Sequence, residues 1–214
     1  MSMQPGIDME RMKDKYEASA SQLLLQAFHT KFQHGTRLDR EQLQWLLQQV
    51  LVLDEQRGKS QRIVALKEGS VIGSISIQIG TRSGKPVAGT TLKDFLPLWK
   101  AIRHVGYVNA LGFIMRMACL SHQPVYGEMY IADLSVHELC RGVGVGQKLL
   151  EWVFGEAASR PDIQYTSLHV TGSNVGAKRL YERMGFRTLE TEQSSFLGRR
   201  LLGEQEWYYM IREI

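Results

Sequence analysis

Arg141-Gly142-Val143-Gly144-Val145-Gly146 separates an apolar run, Met129 to Val136, from the helix-patterned Gln147-Lys148-Leu149-Leu150-Glu151-Trp152. No other stretch constrains the fold as strongly. A strand that turns through glycines straight into a helix leaves the first N–H groups of that helix unpaired, at the positive end of its dipole. Such a turn is a site for phosphate, and the expected ligand is a diphosphate. Side chains there would hold the phosphates away from the backbone, and turns of this kind often need positive φ, so glycine serves on both counts.

The segments after this turn alternate in type. Apolar Tyr165–Val170 predicts a strand, Asn174–Met184 a helix stopped by Gly185, and Phe186–Leu189 and Trp207–Arg212 two further strands. That order predicts an α/β chain with a mixed sheet, right-handed parallel crossovers and helices on its faces. Upstream, apolar spacing predicts a helix from about Met12 to Phe32. A second helix follows Thr36-Arg37-Leu38-Asp39 and carries Leu43, Leu46, Leu47, Val50 and Leu51. Arg62–Leu66 and Val71–Ile79 read as a hairpin, with Ile75, Ile77 and Ile79 on one face. The first dozen residues, with Pro5 and Gly6, read as loose chain or a short edge strand, and no obvious first strand stands out.

Residues 80–126 open with a Gly/Ser/Pro segment and continue into a long apolar stretch, Leu92–Leu120, expected as a helical insertion. A cover over a site or a partner-binding surface is the expected role. Arg103, His104, Asn109 and Arg116 fall inside any window of about twenty residues, which argues against a membrane span. Met115–Met117 is expected in the core. At 214 residues the chain suits a single domain, 1–214, with that insertion.

Net charge is +4, which fits an anionic ligand. Without a dense Lys/Arg run or aromatic-basic interleaving, no nucleic-acid partner is expected. Cys119 and Cys140 lie in dissimilar contexts with no secretory signal before them, so a reducing cytoplasm is the expected location. The six histidines show no helix-spaced pair backed by a carboxylate, and no metal site is expected.

The glycine spacing is not the Gly-x-Gly-x-x-Gly of a dinucleotide fold, and no Gly-Lys-Ser/Thr ending marks a P-loop. About thirty residues on comes a second motif, Asn174-x-x-Ala177-x-x-Leu180-Tyr181-x-x-x-Gly185-Phe186. Together the two resemble the GNAT superfamily of acyl-CoA N-acyltransferases, whose pyrophosphate loop runs Arg/Gln-x-x-Gly-x-Gly/Ala. Arg141, Gly144 and Gly146 match that loop position for position, and the resemblance is specific from about Tyr126 to Leu189.

The resemblance implies a GNAT-like central mixed, splayed sheet with helices on both faces, acetyl-CoA as cofactor, and N-acetyl transfer to a primary amine. It implies that the strand Ile131–Val136, including Leu134, Ser135 and Val136, splays from its neighbour and pairs with the pantetheine arm through backbone groups. The N–H groups of Val143, Gly144, Val145 and Gly146 would hold the diphosphate, helped by Arg141 and flanked by Gly142 and Gln147. Asn174 would bond the cofactor arm, with Lys178 one turn further, and Tyr181 would lie near the thioester sulfur.

The chemistry asks for two further groups. An alkylammonium with a pKa near ~10 cannot attack a carbonyl until it loses a proton. Glu128, thirteen residues before Arg141, resembles in its spacing the glutamate base of the histone acetyltransferase branch. Asp133 is the rival. Strand alternation sets the two acids on opposite faces unless a bulge intervenes. The departing thiolate, whose conjugate acid has a pKa near ~8.5, gains from a donor, and the Tyr181 phenol fits that role. Cys140 as a nucleophile lacks a neighbouring His or Asp in sequence. His137 and His169 are expected to cap or pack, with proton relay as the alternative.

Two other functions stay open: an acyl-CoA-binding regulatory module without turnover, and a membrane-surface acyltransferase suggested by Leu92–Leu120. The acceptor, a small molecule or a peptide or protein amine, is left to Phe28–Arg40 and 80–126. The apolar insertion and Trp207–Ile214 offer interface elements for a homodimer.

Overall fold

The computed structural model describes residues 6–33, 38–56, 58, 60–81, 96–194, 199, 203–204 and 206–214. Strand β2 (Gln61–Lys67) is buried along five consecutive residues, so its two faces serve two cores. Ile63 and Ala65 join one apolar cluster, Val64 and Leu66 the other. β3 (Ser70–Ile79) folds back on β2 through Glu68 and Gly69, both at positive φ. The sheet also contains β1 (Asp8–Arg11), β4 (Glu128–Val136), β5 (Tyr165–Thr171), β6 (Arg187–Gln193) and β7 (Glu206–Glu213), in the order β1-β2-β3-β4-β5-β7-β6. Its pairs are antiparallel apart from β4–β5, so the expected mixed sheet is present, with β7 inserted between β5 and β6.

One face is covered by α5 (Val145–Ala158), whose Leu149, Leu150 and Val153 pack on Ile63, Ile75, Ile77 and Ile131. Each such side chain contributes about 1.5–3 kcal/mol on burial. Gly73 permits the approach: a Cβ there would lie 2.9 Å from Val145 Cγ1. α6 (Val175–Arg183) adds Ala177 and Leu180 to the same side. The opposite face carries α1 (Glu17–Gln33), α2 (Arg40–Gln56), α3 (Leu96–Val105) and α4 (Tyr107–Leu120). Asp39 and Gln42 start α2 with a reciprocal capping box, Gln42 N–H to Asp39 Oδ1 at 2.8 Å and Asp39 N–H to Gln42 Oε1 at 3.3 Å.

Several expectations change. The opening strand exists: β1 pairs with β2 from Asp8↔Leu66 to Arg11↔Ile63, and its short, half-exposed edge position explains its lack of an apolar run. Met12 is buried but not helical, since its N–H continues the strand pairing to Arg62 O. The insertion is helical over α3 and α4, which part at Gly106 (φ 81); residues 82–95 lie outside the described residues. Among the described residues no helix is long and apolar enough to cross a membrane. Met117 packs on the core, whereas Met115 is exposed and Arg116 between them is buried. β7 lies inside the sheet, so it has no free edge to offer a second copy.

Candidate active site

β4 is paired with β3 along nearly its whole length but with β5 only from Glu128↔Tyr165 to Ile131↔Leu168. Beyond Ile131 the two parallel strands part, and Ala132, Asp133 and Leu134 of β4 line a cleft of about 1320 Å³. At the parting point the β3–β4 register jumps from Ser76↔Asp133 to Ile77↔Ile131, a bulge that leaves Ala132 as the extra residue. Met129 and Ile131 before it, and Leu134 and Val136 after it, all face the α5 core. Glu128, Tyr130, Asp133 and Ser135 therefore share the other face. The bulge cancels the alternation that would have kept the two acids apart.

Where β4 ends, Gly142 (φ 79) and Gly144 (φ 88) make the turn, and a Cβ on either would meet nothing within 4 Å. Gly144 is the N-cap of α5 without a capping side chain. Among the described residues, the N–H groups from Gly142 to Gln147 find no acceptor. The first N–H groups of α5 thus lie unpaired at the positive end of a helix. Gly146 has a different reason to lack a side chain: its Cβ would lie 3.1 Å from Leu180 Cδ2, so it sets the packing of α5 on α6. Arg141 is exposed beside this cradle, its Nε donating to Val136 O at 3.3 Å. Gln147 is turned to Glu151 at 2.8 Å.

Asn174 caps α6, its Oδ1 accepting from the Ala177 N–H at 3.2 Å, which leaves the amide N–H groups for the cleft it lines. Lys178 lies over the Tyr208 ring, 3.6 Å from its centroid, and is held on β7. Ser135 Oγ is buried against Ser74 Oγ at 3.0 Å.

Tyr181 lines the cleft from α6 and packs edge-on to Phe186, with ring centroids 5.8 Å apart. Burial, and then the neighbouring Asp133, hold its phenol well above the ordinary range, so it stays protonated. Asp133 itself is gripped by Arg62 through two bonds of 2.7 and 2.6 Å, a largely buried bidentate pair.

Glu128 is 1% exposed. Its Oε1 accepts from His122 Nε2 at 2.9 Å, Ser167 Oγ at 2.5 Å and Tyr209 Oη at 2.9 Å, and its Oε2 from the Val125 N–H at 2.8 Å. Burial pushes its carboxyl up, but the bonds from His122, Ser167 and Val125 outweigh it and hold the group below its ordinary value. His122, Tyr130 and His169 form the adjoining cleft wall. The His122 and Tyr130 rings lie 4.3 Å apart, and Tyr130 Oη is 3.1 Å from His169 Nδ1. Burial, then His122, lowers the His169 pKa. His137 caps the short turn after β4, as expected.

Reasoning from the sequence missed His122, Tyr130 and Tyr209. Nothing in their spacing ties them to Glu128, since Tyr209 stands 81 positions away.

Similarity to known proteins agrees with this geometry. Residues 20–186 match the acetyltransferase (GNAT) family. A 62-residue stretch is 39% identical to an uncharacterized N-acetyltransferase of Methanocaldococcus jannaschii, covering 29% of this chain and 40% of that relative. Among solved structures, one described as an acetyltransferase superposes with TM-score 0.61 at 20% identity, covering 97% of this chain and 99% of that one. NAA60 of Arabidopsis thaliana, solved with a bisubstrate analogue, gives 0.59 at 17% identity over 98% of both chains. The ribosomal-protein-S18-alanine N-acetyltransferase of Escherichia coli gives 0.54 at 14% identity over 98% and 94%. Identities this low establish the shared fold. With a family match spanning most of its length, a splayed β4–β5 pair and a glycine cradle at the start of α5, the chain belongs to the GNAT acetyltransferase family.

Proposed function

We propose that this protein is an acetyl-CoA-dependent N-acetyltransferase that moves the acetyl group to a primary amine by direct attack in a ternary complex. One observation carries the proposal: the cleft where β4 and β5 part is lined at one end by His122, which bonds Glu128, and at the other by Leu134 and Leu180, against which Gly146 of the glycine turn packs. At about 1320 Å³ the cleft exceeds the roughly 300–1000 Å³ of a pocket for one small ligand, and suits two substrates.

Acetyl-CoA, when bound, supplies the electrophilic thioester carbon. The N–H groups of Val143 to Gly146, with Arg141, hold its diphosphate. The free backbone edge of Ala132 to Val136, with the Asn174 amide, holds its arm. The Tyr181 phenol, kept protonated by burial, donates to the departing sulfur. Asp133 serves the Arg62 pair that shapes the wall, because proton transfer there would give up two charge-assisted bonds. The proton of the acceptor ammonium leaves toward Glu128, whose ionised form balances the cation. Cys119 and Cys140, both free thiols, suit a reducing cytoplasm.

The test is thiol release from acetyl-CoA against a panel of primary amines, comprising an alkylamine, an arylalkylamine, an aminoglycoside and a peptide with a free N-terminus. Acetyl-CoA binding is followed by calorimetry in the same preparation. Binding with turnover on one amine class is expected. Binding without turnover across the panel would favour a regulatory acyl-CoA module, and no binding would remove the role of residues 141–146.

A further inference from the structure

We infer that His122 is the catalytic base and Glu128 its positioning residue, the carboxylate fixing the Nε2-protonated tautomer so that Nδ1 receives the proton of the acceptor ammonium. The inference rests on the acetyl-transfer function proposed above.

Glu128 is sealed from the cleft. It is 1% exposed, and its two oxygens are taken up by four donors. An incoming amine would have to displace one of them to touch it. Because the carboxyl is ionised, it is an acceptor alone, and any imidazole nitrogen bonded to it must carry hydrogen. His122 Nε2 lies 2.9 Å from Oε1, so Nε2 holds the proton and the neutral ring presents its lone pair at Nδ1. Nδ1 makes no hydrogen bond among the described residues, and the side chain is 26% exposed where it lines the cleft. An imidazole whose tautomer is fixed by a buried carboxylate offers its other nitrogen as a proton acceptor.

The groups around His122 leave this role clear. From β4 it faces Glu128 and Tyr130, from β5 His169, and from β7 Tyr209. Burial is the largest cause raising both phenols, which stay neutral, and burial likewise disfavours charge on His169. Glu192 of β6 reaches toward His169, 3.8 Å from its Nε2. The imidazolium formed at His122 therefore has a carboxylate as its bonded neighbour and no rival cation in contact among the described residues. The loop that carries His122 is clamped as well: Gly80 donates to Glu128 O at 3.0 Å, and a Cβ on Gly80 would lie 1.7 Å from Val125 O.

The step balances. The ammonium gives one proton to Nδ1, and the freed nitrogen lone pair forms the C–N bond at the thioester carbon. The C–S bond breaks with its electron pair to sulfur, which takes the Tyr181 proton. The second nitrogen proton passes through water to Tyr181, and the His122 proton is released to solvent, leaving amide, thiol and one proton.

Wild type, His122→Ala and Glu128→Gln would be compared by thermal melting, acetyl-CoA calorimetry, turnover of the best amine in the panel, and ¹⁵N NMR of histidine-labelled protein. For His122→Ala, kcat should fall by about 10²–10⁴ with the acetyl-CoA Kd within about twofold, and added imidazole should restore part of the rate. In Glu128→Gln the preference of His122 for hydrogen at Nε2 should weaken in the ¹⁵N spectra, because a carboxamide can donate as well as accept. Wild-type spectra should show His122 protonated at Nε2, and the opposite tautomer would overturn the assignment whatever the turnover. A His122→Ala enzyme within about twofold of wild type would overturn it while leaving acetyl transfer intact. A wild type that binds acetyl-CoA and acetylates no amine would overturn both.

Discussion

The end of the site proposed for the cofactor is made of backbone, the end proposed for the base mostly of side chains. At the first, two left-handed glycines and a helix start leave the N–H groups from Gly142 to Gln147 without an acceptor among the described residues. At the second, the loop before β4 sends two donors to Glu128, His122 and the Val125 N–H, and β5 and β7 send one each, Ser167 and Tyr209, from positions up to 81 residues apart. The difference teaches where tolerance lies. A backbone site fails when one residue loses its φ, whereas a side-chain cluster fails group by group and can keep its fold while it loses its chemistry.

Four measurements would break or sharpen that contrast. The largest effect is expected at the cofactor end: Gly144→Val puts a branched side chain at φ 88 and should weaken acetyl-CoA binding at least about 10³-fold, roughly 4 kcal/mol, by calorimetry. The ¹⁵N signals of His122 should not move. Next, Arg62→Ala strands the largely buried Asp133 and should cost about 3 kcal/mol in chemical denaturation. Arg62→Met with Asp133→Leu should recover most of that loss. Tyr181→Phe should lower kcat about 10–100-fold, about 1.4–2.7 kcal/mol, with acetyl-CoA affinity unchanged. An equal loss of affinity would move Tyr181 into the binding machinery.

The smallest effect concerns acid. Glu128 has a folded pKa below its ordinary 4.5, so its contribution to stability is complete above that value and is lost as pH falls through the folded pKa. The stability gap between wild type and Glu128→Gln, read by denaturant titration from pH 7 to pH 3, should hold down to about pH 4.5 and close below it. A gap that widens in acid would mean that the carboxyl is protonated in the native state.

The sequence was informative where function and local structure coincide. Arg141 to Gly146 could be read because a strand end, a φ-demanding turn and a helix start occupy one short segment, and Asn174 and Tyr181 because one helix sets their spacing. Glu128 was legible as a residue but not as a geometry: nothing local says that it is buried under His122. Its relation to Asp133 depended on a single extra residue, Ala132, which shows as a register jump between paired strands and leaves no mark in either strand alone. β1 was faint for a similar reason, since four residues at a half-exposed edge carry no apolar alternation.

By itself the sequence determined the strand-to-helix glycine turn and the β2–β3 hairpin, because backbone conformation and short-range periodicity are local properties of the chain. The tertiary structure decided which acid is sealed, which is tied to Arg62 and which histidines face the cleft, because those outcomes follow from strand register, one bulge and the order β5-β7-β6, which bring distant side chains within hydrogen-bond reach.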